Sequence, residues 1–128
     1  MSDSVWRGVF LASAIFNFLV GFSLAIDTSA LMASMGLEVA RYDALWSPLV
    51  GWFVILFGML YAAVWRDLGN RAIVFVGMLG KLGVVVLVAL AWMRGLAPFA
   101  MVALTLIDFV FAILFAVFLF IRPVGARS

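Results

Sequence analysis

The run AIVFVGMLGKLGVVVLVALAWM, Ala72–Met93, decides the fold. It is 22 residues without a proline, and Lys81 is its single charge. A helix of about 20 mostly apolar residues crosses the hydrocarbon core of a bilayer, so this stretch reads as a membrane span. Three further windows of the same kind surround it: Gly8–Ile26, Trp46–Trp65 and Phe99–Ile121. All four are continuous apolar runs, whereas barrel strands would show short segments of alternating polarity. The whole chain of 128 residues is 69% hydrophobic and 11% charged. A soluble domain is nearer 45–50% apolar and about 25% charged, and a disordered chain carries far less apolar surface. Residues 1–128 therefore read as a single transmembrane domain, all-α, an antiparallel four-helix transmembrane bundle.

The span boundaries carry their own chemistry. Ser47-Pro48 supplies a cap and a proline for the start of the second helix, and Pro98 does the same for the fourth, which Arg122-Pro123 ends. Arg66, Asp67, Gly69, Asn70 and Arg71 make a tight polar turn between spans two and three. The first apolar stretch exceeds the 7–15 residues usual for a signal-peptide core, so it is expected to be retained. With both termini cytoplasmic, Arg7, Arg66, Arg71, Arg122 and Arg127 lie inside and only Arg41 and Arg94 outside. That asymmetry follows the positive-inside rule. Trp6 and Trp65 then serve as aromatic anchors at the inner interface, and Trp46 and Trp92 at the outer one. The outer first loop gathers Asp27, Glu38 and Asp43, and its Asp27-Thr28-Ser29 capping string before Ala30–Met35 and Gly36 predicts a short interfacial helix. The basic balance is accounted for by arginines facing anionic lipid, so nucleic acid is not an expected partner.

Three strongly polar residues fall near mid-membrane: Asn17 in span one, Lys81 in span three and Asp108 in span four. At about 1.5 Å per residue, Asn17 and Lys81 lie about 14 Å from the cytoplasmic ends of their helices and Asp108 about 20 Å. The lysine stem bridges the offset, so all three can meet at one level. An unpaired charge there costs at least about 2.5–3.5 kcal/mol, so Lys81 and Asp108 are expected to pair, with Asn17 satisfying what remains. Small and polar residues mark the packing faces at helical spacing: Ser13, Asn17, Gly21 and Ala25; Gly51, Gly58 and Ala62; Gly77, Gly80, Lys81 and Val84; Thr105, Asp108, Ala112 and Ala116. Tyr61 and Thr105 are secondary candidates for the cluster.

Two roles compete for it. One is a buried ion pair that fixes helix register; the other is a binding or relay site, the default hypothesis for an intramembrane ionisable group. A single acid and a single base, with no chain of further titratable groups, weigh against a proton relay more than against ligand binding. Other chemistry is thin. With no cysteine and no histidine, no nucleophile–base–orienter set can be read in the chain, and no cofactor or metal is expected. The scattered methionines, such as Met59, Met78 and Met101, fill gaps more often than they bind metal. Gly77–Leu82 superficially resembles a phosphate loop but lacks its spacing and its Ser/Thr. An enzyme is not expected.

The motifs Ile15–Gly21, Tyr42–Trp46, Gly58–Ala62, Val76–Gly83 and Gly95–Pro98, followed by the span-four aspartate, carry a family resemblance. Together they resemble a widespread family of small uncharacterised bacterial four-helix integral membrane proteins. That family is expected to place an asparagine before the aspartate and tryptophans after it, where this chain has Ile107, Val110 and Phe111. The resemblance implies a bacterial inner-membrane setting and a place for the Asn17–Lys81–Asp108 cluster, and it implies no activity. The leading expectation is a non-catalytic packing module that self-associates as a homo-oligomer or joins a larger membrane-protein partner within membrane lipid. The alternative is a small-solute or ion binding or translocation protein, with the cluster as a midplane site for a polar or anionic solute.

Overall fold

The computed structural model describes residues 2–26, 34 and 43–122. These residues form four long helices and no strand: α1 (Asp3–Ile26), α2 (Asp43–Arg66), α3 (Arg71–Met93) and α4 (Phe99–Ile121). Each is 23 or 24 residues long, about 35 Å at helical rise, and each is long and apolar enough to cross a membrane. The chain is thus built as a multi-pass membrane protein. The expected interfacial helix over residues 30–35 lies outside the described residues but for Ser34, as do Asp27, Glu38, Arg41 and Arg127.

Two boundaries differ from the sequence expectation. The first helix starts at Asp3, because the polar turn Asp3–Arg7 contains nothing that breaks a helix and Asp3 suits a helix N-terminus. The second starts at Asp43, which puts Pro48 inside it rather than at its start. One missing backbone donor in the second turn is tolerated within a membrane helix. The α2–α3 turn is as tight as expected. The Gly69 amide donates to Asp67 Oδ1 at 2.9 Å, the Asn70 side chain donates to the Asp67 carbonyl at 3.1 Å, and Leu68 is buried.

The helices associate mainly as two pairs. Between α1 and α2 the backbones nearly touch: a Cβ on Gly51 would stand 2.6 Å from the Gly21 carbonyl oxygen and 2.7 Å from the Ala25 nitrogen. Lower down, Gly58 gives room to the ring of Phe18. This is the close approach that small residues at helical spacing allow. The second pair is α3 with α4, and in the connection between them the Leu96 amide donates to the Ala91 carbonyl at 2.8 Å beside Gly95, at φ +73°. Gly77 accommodates Tyr61 across the α2–α3 seam, a Cβ there falling 2.6 Å from its ring.

The filled core occupies one half of the bundle, the half that holds the 67–70 turn. Trp6, Phe10, Tyr61, Val64, Val74, Phe115 and Phe118 are all buried there. Trp6 meets Phe118 edge-on at 5.2 Å between centroids, and Phe10 packs on Phe115 and Phe118 at 5.0 Å each. Trp6 is therefore a core residue and not an interfacial anchor; starting α1 at Asp3 carries it inside the first turns. Phe115 and Phe118 likewise turn inward, while Phe120 is almost fully exposed. Arginines brace this end. Arg7 donates to the carbonyls of Trp65 and Arg66, Arg71 to those of Leu119 and Arg122, and Arg122 pairs with Asp3 and lies over the Phe118 ring. The bonds to Trp65, Arg66 and Leu119 satisfy last-turn carbonyls of α2 and α4, groups a helix leaves without partners of its own.

Candidate functional site

Asn17, Lys81 and Asp108 come together at mid-bundle. Each lies on the inward stripe of its helix, and Gly21 and Gly77 on the same stripes allow the neighbouring helices near enough for the side chains to meet. Lys81 Nζ donates to Asp108 Oδ1 at 2.7 Å and to Asn17 Oδ1 at 3.1 Å. Asn17 Nδ2 in turn donates to the Val54 carbonyl at 3.2 Å. One continuous network thus runs from α4 through α3 and α1 to the backbone of α2. Lys81 is 4% exposed, and the Asp108 side chain 17%.

The ammonium has a second kind of partner. Three aromatic faces surround it, with centroids 5.5 Å (Phe16), 5.2 Å (Tyr61) and 5.3 Å (Phe111) from Nζ. Rings at this range attract a cation through their negative faces, the more so where water is absent. Tyr61 also stands edge-on to Phe115 at 5.2 Å, so the cage and the filled core share a wall. Phe16 and Phe111 were not candidates from the sequence, although their positions hinted at the role. Phe16 adjoins Asn17, and Phe111 follows Asp108 by three residues, on the same helical face.

Beyond the network, toward the half that holds the 94–98 connection, lies a cavity of about 460 Å³. That size falls within the range of about 300–1,000 Å³ usual for small-molecule sites. All four helices line it, and its walls are largely aliphatic: Val20, Val54, Val84 and Leu104 among them. Its polar groups are confined to the cluster end: Asn17, Lys81, Tyr61, Thr105 and Asp108. Thr105 is buried and donates to the Val102 carbonyl at 2.8 Å. Gly80, which the sequence assigned to a packing face, meets no atom within 4 Å of a Cβ and lines the cavity instead. Val50, Phe53 and Val84 line it and stay exposed, so it communicates with the surroundings of the bundle.

Chemically, the arrangement offers an apolar chamber floored by a neutral ion pair. Among the described residues no group of three or more metal-ligating side chains occurs. No model of a known protein family, no curated protein and no solved structure matches the chain.

Proposed function

We propose that this chain is a non-catalytic membrane protein that holds a small, largely apolar molecule in the chamber above Lys81 and Asp108. The observation that carries this reading is the cavity itself. Four helices border a gap of ligand size and place the Asn17–Lys81–Asp108 network at its floor. The setting proposed is a bacterial inner membrane, with the helices antiparallel, both termini cytoplasmic and a short helix over residues 30–35 lying in the outer interface. The arginine asymmetry supports that orientation, and the pairing of Arg7 with the end of α2 supports the antiparallel arrangement. Membership of the small four-helix bacterial family rests on the sequence motifs.

A second reading has an observation of its own. Lys81 is fully engaged by Asp108, Asn17 and three rings, which suits a pair that pins the register of a packing module. In that case the large exposed apolar faces would be covered by other copies or by a larger complex.

The variant Gly80→Leu separates the two, since it fills the cavity at a position with room for a side chain. In membranes labelled with a bilayer-soluble photoactivatable alkyl probe, the wild type should be labelled at cavity-lining peptides around Val84 and Met101. Gly80→Leu should lose that labelling while keeping its helix content and oligomeric state. Labelling spread evenly over lipid-facing residues in both proteins would leave the packing module as the function.

A further inference from the structure

Resting on the binding reading above, we infer that the chamber selects a neutral amphiphile of the bilayer, an apolar body ending in a hydroxyl. The selection follows from which valences of the cluster are engaged. The hydrogens of the Lys81 ammonium face Asp108, Asn17 and the ring cage. Asn17 donates to Val54, and the Thr105 hydroxyl donates to Val102. Acceptor sites are left over. Asp108 bonds Lys81 through Oδ1, and its Oδ2 has no partner among the described residues although Asp108 lines the cavity. Thr105 keeps the lone pairs of its oxygen at the same wall. A carboxylate accepts roughly two hydrogen bonds per oxygen, and a bond to an ionised acceptor is about twice as strong as one between neutral groups. The Tyr61 hydroxyl at the same end can donate as well as accept, so the floor of the chamber takes a group that donates to the Asp108 carboxylate and can accept from Tyr61.

The charge of that donor is set by the balance already present. Lys81 and Asp108 cancel, so an added cation or anion would enter an apolar chamber without a counter-charge, at the high cost such burial carries. An anionic head would also meet the free carboxylate oxygen. A hydroxyl brings one hydrogen and no charge. The aliphatic walls suit an alkyl or isoprenoid body, and the exposed lining residues Val50, Phe53 and Val84, all within helices that span the bilayer, place the entrance on the lipid side.

The test uses three chain-matched photoactivatable probes in membranes containing the intact protein: a long-chain alcohol, its methyl ether and the corresponding carboxylate. Cavity-lining peptides are quantified after labelling. The alcohol should label them at least about tenfold more than the ether, the discrimination one charge-assisted hydrogen bond gives, and more than the carboxylate. In the double variant Lys81→Met with Asp108→Leu, which keeps the site neutral and removes the acceptor, alcohol and ether should label alike. Equal labelling by alcohol and ether in the wild type overturns the hydroxyl selection and leaves the binding reading standing. Preference for the carboxylate overturns it in favour of an anionic ligand. Absence of cavity labelling by all three overturns the binding reading as well.

Discussion

The two halves of this bundle are made of the same kinds of residue, and only one of them is filled. Around the 67–70 turn, large rings from α1, α2 and α4 interlock: Trp6, Phe10, Tyr61, Phe115 and Phe118. Toward the 94–98 connection the facing positions include the shorter side chains Val20, Val54 and Leu104, and a chamber of about 460 Å³ remains. In water such a gap would be penalised and the helices would close on it. In a bilayer the medium outside is as apolar as the core, so hydrophobicity does not drive the helices together. Closure depends on side chains large enough to reach across, and one half lacks them. The ion-pair network marks the boundary between the two.

The largest effect expected in breaking this comparison comes from stranding one charge at the boundary. Lys81→Met or Asp108→Leu alone should destabilise the bundle by about 3–5 kcal/mol, whereas the double substitution should be close to neutral or stabilising. Equilibrium unfolding in mixed micelles, followed by far-ultraviolet circular dichroism, would read this out. A double variant as unstable as the singles would mean that the polar network itself holds the halves in register.

The filled and hollow halves should then respond differently to truncation. Phe115→Ala removes a fully buried ring and is expected to cost about 3 kcal/mol, the low end for such losses, because the ring has lipid as an alternative surrounding. Phe53→Ala, at the exposed lining of the chamber, should cost under about 1 kcal/mol in the same assay. Comparable costs at both sites would show that the chamber is closed in the membrane.

Glycines sharpen the contrast with smaller steps. Gly77→Val places methyl groups against the Tyr61 ring and should cost about 1–3 kcal/mol through overpacking. Gly80→Ala meets nothing and should be neutral or up to about 1 kcal/mol stabilising, since alanine favours a helix over glycine. Smallest of all is Arg122→Gln. Its pair with Asp3 is partly exposed, so a loss of about 0.2–1 kcal/mol, shrinking with added salt, is expected.

Most of the fold is legible in the sequence because hydropathy alone counts spans. The fourth helix runs from Phe99 to Ile121 as read, and the second and third ends at Arg66 and Met93 fall within one residue of the reading. The polar cluster is legible for the same reason, as Asn17, Lys81 and Asp108 are the strongly polar residues near the middle of their spans. What hydropathy does not encode is which apolar face turns inward. Lipid and core look alike to a phenylalanine, so Phe115 and Phe118 are indistinguishable in sequence from Phe120, and Trp6 reads as an interfacial anchor although it is buried. The cage of Phe16, Tyr61 and Phe111 is hidden likewise. The arginines read as topology signals, while their second task, capping the carbonyl ends of α2 and α4, needs the helices already side by side.

The pairing of helices bears on how the molecule is made. The tightest partner of each helix is its neighbour in the chain, α1 with α2 and α3 with α4, and four residues join the two pairs. A ribosome feeding this chain into a membrane can therefore complete the Gly21–Gly51 contact before α3 has emerged, and the second pair can enter as a preformed unit. Lys81 and Asp108 belong to that second pair and travel together. Each charge finds its counter-charge within its own pair and does not depend on docking to the first half, so a lysine and an aspartate at mid-bundle are compatible with ordinary biogenesis.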